Sequence, residues 1–234
     1  MAANRGNPWK RLGDGPLVAP SLLACDFARA GRDIDEVVAA GAEVLHVDVM
    51  DGHFVPNLSM GPGFVRKIRE YTGHPLDVHL MVSDPAYYIE RFAEAGADSI
   101  TFHVEATDDA AALIARLRGL GLGAGVTIRP GTDVECIAPV IDKVDLVLVM
   151  TVEPGYGGQE FMYGMLDKIA QVRGMLTGGQ RLQVDGGINP ATAGACAASG
   201  ADVFVAGESI FGAPDIPGAV RALRQGALNA GLQR

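Results

Sequence analysis

The chain has 234 residues, of which 48% are hydrophobic and 20% charged, with a formal net charge of −9 at pH 7. That length suits one large α/β domain, and the apolar share is enough for a buried core, which excludes a disordered tail. The acidic balance argues against a nucleic-acid partner, yet it permits an anionic ligand held by backbone N–H groups.

Residues 1–16 carry Asn4, Arg5, Lys10, Arg11 and Asp14 but no apolar run, so they read as a poorly ordered lead-in and not a signal peptide. No stretch reaches the roughly 18 apolar residues of a membrane span, so no membrane partner is expected. Beyond the lead-in, short β-rich runs alternate with helical patterns. Strands are predicted at residues 17–22, 44–49, 76–81, 99–103, 124–128, 146–150, 182–184 and 203–206. Helices are predicted at residues 29–40, 64–71, 85–95, 110–120, 134–141, 162–176, 191–199 and 216–230. Eight such units over residues 17–234 predict a single-domain α/β fold, a (β/α)8 TIM barrel with parallel strands and right-handed crossovers. One phrase recurs as Ala40-Gly41-Ala42-Glu43, Ala95-Gly96-Ala97-Asp98 and Ser199-Gly200-Ala201-Asp202. Each glycine stands where a left-handed helix C-cap is expected, so the phrase marks a structural joint and carries no chemistry. Cys25, Cys136 and Cys196 are odd in number and show no CxxC spacing, which predicts neither disulfides nor a thiolate zinc site. A reducing, cytoplasmic compartment follows as the expectation.

In this architecture chemistry gathers at the C-terminal ends of the strands. The second strand reads His46-Val47-Asp48-Val49-Met50, and alternation puts His46, Asp48 and Met50 on one face. The third strand likewise puts His79 and Met81 on a common face, and the seventh ends at Asp185 before Gly186 and Gly187. A lone strand histidine is usually a hydrogen-bonded core residue, and Asp185 could be a turn former. The set changes that reading, because buried carboxylates beside imidazoles leave charge unbalanced without a cation. We therefore expect one divalent ion held by His46, Asp48, His79 and Asp185. Zinc is the first choice, with iron, manganese and cobalt also suited to nitrogen and oxygen donors.

Glycines also cluster after three successive strands: Gly155-Tyr156-Gly157-Gly158, Gly186-Gly187, and Gly207 before Glu208. In barrels the loops after strands seven and eight commonly hold phosphate on backbone N–H groups.

With these motifs assembled, the sequence resembles the ribulose-phosphate 3-epimerase family over nearly all of residues 17–224. The carrying stretches are Ala19-Pro20-Ser21-Leu22-Leu23, the run from His46 through Asn57, Asp77-Val78-His79-Leu80-Met81-Val82, the loop at 155–159, and Val184-Asp185-Gly186-Gly187-Ile188. The resemblance implies a small ketose phosphate as substrate and a 3-epimerase interconverting D-ribulose 5-phosphate and D-xylulose 5-phosphate. It implies that Asp48 and Asp185 are the acid–base pair, working through an enediolate, as well as metal ligands. Ser21 and His79 would lie near the substrate, the three glycine loops would bind it, and Met50, Met81 and Met150 would ring the reacting carbon. One departure stands out. The loop after the eighth strand usually reads Gly-Ser-Ala-Ile in this family, where here it is Gly207-Glu208-Ser209-Ile210. Either the Glu208 side chain turns outward, or Ser209 takes over the hydroxyl's role. The alternatives are a D-allulose 6-phosphate 3-epimerase and a barrel that binds sugar phosphate without catalysis. A metal-free isomerase or tryptophan-pathway barrel leaves His46 and His79 unexplained. The sequence leaves self-association into a homo-oligomer open.

Overall fold

The computed structural model describes residues 6–231. The strands are β1 (Leu17–Pro20), β2 (Leu45–Met50), β3 (Leu76–Met81), β4 (Ser99–His103), β5 (Gly123–Ile128), β6 (Leu146–Met150), β7 (Arg181–Asp185) and β8 (Val203–Ala206). Helices α1 (Ala30–Ala39), α2 (Pro62–Tyr71), α3 (Pro85–Ala95) and α4 (Ala110–Gly119) follow the first four strands. After β6 come α5 (Met165–Met175), α6 (Pro190–Ala198), the short α7 (Glu208–Phe211) and α8 (Ile216–Gly231). Among the described residues the eight strands form one parallel sheet in the order β1-β8-β7-β6-β5-β4-β3-β2. A parallel bridge between Ser21 and His46 joins β1 to β2. The predicted (β/α)8 barrel is the observed fold.

The strands are buried on both faces, which is why they read as near-continuous apolar runs. Outward-facing Val47, Val49, Val78 and Leu80 join a core with Ile34, Val65, Ile89 and Phe92 of the helices. Inside, Leu17, Val44, Leu146 and Val203 form the lower core together with Trp9. Trp9 corrects the expectation for the lead-in. Its ring is only 3% exposed and its indole N–H donates to Ser99 Oγ at 2.7 Å, inside a 310 turn at Pro8–Lys10 capped by Asn7. A buried aromatic ring with a satisfied N–H pins the segment to the barrel floor. Residues 1–5 lie outside the described residues. A second difference falls after β5, where the expected helix is the 310 helix Val134–Lys143 with Pro139 inside it. Proline has no N–H to give an α-helical ladder, and tighter turns accommodate it.

The recurring αβ joint has the expected caps, with φ of +97° at Gly41, +107° at Gly96 and +109° at Gly200. The acid that ends each phrase has a role that the sequence reading left blank. Glu43 accepts a hydrogen bond from Val18 N–H at 2.9 Å, Asp98 from Leu76 N–H at 2.9 Å and Asp202 from Leu182 N–H at 3.2 Å. Asp145 does the same for Ala124 N–H at 3.0 Å. These acids also meet Arg224, Arg69, Arg173 and Arg118 respectively. The bottom rim of the barrel is thus tied by acids, and the polar residues of the upper rim are left for a site.

Candidate active site and metal centre

At the C-terminal ends of the strands the barrel opens into a cavity of about 960 Å³. Asp48, Met50, Met81, Met150 and Asp185 line it from the strands, and Ser21 lines it from the residue after β1. The glycine loops supply Gly155, Tyr156, Gly157, Gly158, Gly186, Gly187, Gly207 and Glu208. His46 and His79 are 0% exposed and lie beneath this surface, so His79 belongs to the foundation of the site and does not line the cavity.

Period-two alternation brings the cluster together. The β2–β3 register sets His46 beside Asp77, Asp48 beside His79 and Met50 beside Met81. One donor atom from each of His46, Asp48, His79 and Asp185 lies within 4.8 Å of all the others. His79 Nδ1 is 3.0 Å from Asp48 Oδ1 and 3.9 Å from Asp185 Oδ2. His46 Nδ1 is 3.0 Å from Asp77 Oδ2, which also accepts from Gln183 Nε2 at 3.0 Å. With that nitrogen engaged, His46 turns Nε2 toward Asp48 Oδ1 at 3.3 Å, out of hydrogen-bond alignment. Among the described residues this buried Nε2 has no hydrogen-bond partner. Two imidazole nitrogens, two carboxylates and an orphaned buried nitrogen aimed at their centre fit a divalent cation.

The electrostatics of the bare cluster point the same way. Burial opposes ionisation of Asp48, but the adjacent charge of His46 and the hydrogen bond with His79 outweigh it and hold the carboxyl far below its usual range. Burial works against a charged His46 as well, yet Asp48 and Asp77 raise it well above the ordinary imidazole value. Burial, followed by the nearby Asp48 charge, pushes Asp185 up to about 7. His79 is lowered by burial in spite of Asp48. Ser21 Oγ donates to the second Asp48 oxygen at 2.5 Å, which fixes the carboxylate plane.

The loops around the mouth are tied to one another. Thr151 Oγ1 reaches the carbonyls of Asp185 and Gly186 at 2.8 and 2.6 Å. Asn57 Nδ2 donates to Gly155 O at 2.8 Å across the opening. Gly186 has φ of +116°, and a Cβ there would overlap Val152, so the turn after β7 requires glycine. Glu208 is exposed and lines the cavity mouth, with its carboxylate running along α7 toward Gly212. Ser209 Oγ instead donates to Ile188 O at 2.6 Å and joins the last two loops. Met50 and Met81 pack with Val55, while Met150 belongs to the lower core, so the three cap the barrel interior directly under the cavity.

The sequence reading missed the supports behind the ligands: Asp77 and Gln183 at His46, and His103 with Glu105 at His79. Alternation carried a usable signal, since Asp77 precedes His79 by two and Gln183 precedes Asp185 by two. His103 Nε2 lies 3.0 Å from His79 Nε2, and burial pushes its ring down to about 4. Glu105 is lowered to about 2, its hydrogen bonds from His103, Arg129 and Thr132 outweighing burial.

Comparison with known proteins agrees with this geometry. A family model described as the ribulose-phosphate 3 epimerase family matches residues 17–211. A ribulose-phosphate 3-epimerase of Mycobacterium tuberculosis is 46% identical over 222 residues, covering 93% of this chain and 96% of that one. The cytoplasmic isoform of ribulose-phosphate 3-epimerase from Oryza sativa is 45% identical over 212 residues, covering 89% of this chain and 92% of its own. Among solved structures, 3-keto-L-gulonate-6-phosphate decarboxylase from Vibrio cholerae superposes with a TM-score of 0.71 at 20% identity, covering 92% and 99% of the two chains, a likeness of fold. No helix among the described residues is long and apolar enough to cross a membrane. With its matched length, its barrel and its buried His/Asp cluster, the chain belongs to the ribulose-phosphate 3 epimerase family and is an isomerase.

Proposed function

We propose that this chain interconverts D-ribulose 5-phosphate and D-xylulose 5-phosphate by inverting C3. The observation that carries this reading is the pair of aspartates in one four-residue cluster, both of them lining the cavity at the ends of their strands. Epimerisation needs one group to take the C3 proton and another to return a proton on the opposite face. Asp48 on β2 and Asp185 on β7 approach from strands with β1 and β8 between them, and they exchange roles in the reverse direction.

His46, Asp48, His79 and Asp185 would hold the cation, zinc by our assignment. Bound there, a divalent ion would supply Lewis acidity toward substrate oxygens that gain negative charge. Ser21 holds the Asp48 carboxylate in place by hydrogen bonding. Met50, Met81 and Met150 keep water and competing donors away from the planar carbon. The N–H groups of the turns at Gly186–Gly187 and Gly207 bind the phosphate, with α7 behind the second of them and the Glu208 carboxylate directed along that helix.

Turnover of D-ribulose 5-phosphate by the zinc-loaded protein and by its Asp48→Asn and Asp185→Asn variants tests the assignment. Each variant should lose about 10²–10⁴-fold in kcat with its thermal midpoint little changed. Full activity in either one would remove that aspartate from the proton transfer. Faster turnover of D-allulose 6-phosphate would reassign the substrate to a hexulose.

A further inference from the structure

Behind His79 a line of polar groups runs outward from the cluster, through the buried His103 to the surface residue Glu105, and the proton transfer at C3 makes no use of it. His79 Nε2 lies 3.0 Å from His103 Nε2, and His103 Nδ1 lies 3.3 Å from Glu105 Oε2. The two rings are fully buried with centroids 5.1 Å apart, and Phe54 covers His103 at 4.7 Å. The other oxygen, Glu105 Oε1, accepts from the Arg129 backbone N–H at 2.8 Å and from the Thr132 hydroxyl.

A neutral imidazole has one N–H and one lone pair, so two neutral rings in line have only two self-consistent proton arrangements. In the first, His103 donates from Nδ1 to Glu105 and accepts at Nε2 from the Nε2–H of His79. The His79 Nδ1 lone pair then faces Asp48 and Asp185, where a cation can use it. In the second, the His103 Nδ1 lone pair would confront a carboxylate oxygen, and a proton on His79 Nδ1 would fill the ligand position. An ionised Glu105 has no proton to offer and favours the first arrangement, whereas ionised Asp48, with Oδ1 3.0 Å from His79 Nδ1, favours the second until a cation takes the proton's place between them.

We propose, on the basis of the metal assignment above, that Glu105 and His103 are positioning residues that dictate, through two rings, which nitrogen of His79 is free for a divalent cation. On the other side of the cluster Asp77 does the same for His46 by direct contact. Partners of this kind fix tautomer and ring orientation at metal-binding histidines.

The Glu105→Gln variant tests the proposal sharply. The Arg129 N–H is a fixed donor, so the introduced carboxamide must keep its oxygen there and turn its NH₂ toward His103 Nδ1. That reverses the line and places a proton on His79 Nδ1. Zinc(II) affinity, measured by chelator competition on metal-free protein, should fall about 10–100-fold, while thermal unfolding of the metal-free protein changes little. Long-range ¹H–¹⁵N spectra of histidine-labelled, zinc-loaded unmutated protein should show the His79 proton on Nε2 and the His103 proton on Nδ1. Zinc affinity at the unmutated level in Glu105→Gln would overturn the proposal. A proton on His103 Nε2 in the unmutated protein would do so too, a readout that needs no variant to fold. If the unmutated protein bound no zinc, the metal assignment itself would fall.

Discussion

Asp185 sits under the cavity with its side chain 17% exposed, close enough to Asp48 to feel its charge, and it keeps a proton up to about pH 7 when no cation is bound. Coordination requires the ionised carboxylate, so protons and metal compete for it. Zinc affinity should therefore rise with pH, more steeply below about pH 7 than above it. Uptake at pH 6 should release more protons than uptake at pH 8, as counted by titration calorimetry in buffers of different ionisation enthalpy. His46, raised by Asp48 and Asp77 against the effect of burial, adds a proton that is released across that whole range. A proton count unchanged between pH 6 and 8 would contradict the electrostatics given for Asp185. At this scale the four residues of the cluster were legible because alternation along a strand needs no knowledge of neighbours. Asp77 and Glu105 went unread: alternation marks Asp77 as inward-facing, but only strand register shows that it meets His46, and Glu105 reaches His79 only through His103.

The elements owe their placement to the joints at the bottom rim. Arg69 is buried and donates to Gly96 O and to Asp98, while Asp98 also accepts the N–H that opens β3. Replacing Asp98 by Ala would remove the buried carboxylate shared by Arg69 and the Leu76 N–H, a loss of about 3–5 kcal/mol. We expect that as a lowered urea midpoint with the fold retained, and a midpoint unchanged from the unmutated protein would show the joint to be decorative. The glycine of each joint was legible from its place after a helical pattern. The acid was not, because its acceptor role depends on the start of the preceding strand, some 20 residues earlier in the chain for Asp98 and Leu76. Helix starts drifted for a related reason: α2 and α6 begin at Pro62 and Pro190, where proline fits the first turn but carries no amphipathic signal.

For the molecule as a whole, the alternation of strand and helix was enough to give the barrel, since parallel neighbours joined by helices have few ways to close. The floor was not legible. Trp9 stands among polar residues, and its partner Ser99 is 90 positions away. Trp9→Ala should cost about 3–5 kcal/mol, as large-to-small changes in a packed core do, and leave kcat of the folded fraction unchanged because the site is at the opposite end of the barrel. A chemical-denaturation curve beside a turnover assay separates the two effects, and loss of kcat without loss of stability would refute that division. At the upper end, the central claim is that two aspartates pass the C3 proton to and from the solvent pool. Turnover of D-ribulose 5-phosphate in deuterated water, followed by NMR, tests it most directly. Deuterium should appear at C3 of the D-xylulose 5-phosphate formed and at no other carbon, whereas product formed with its original C3 proton retained would contradict it.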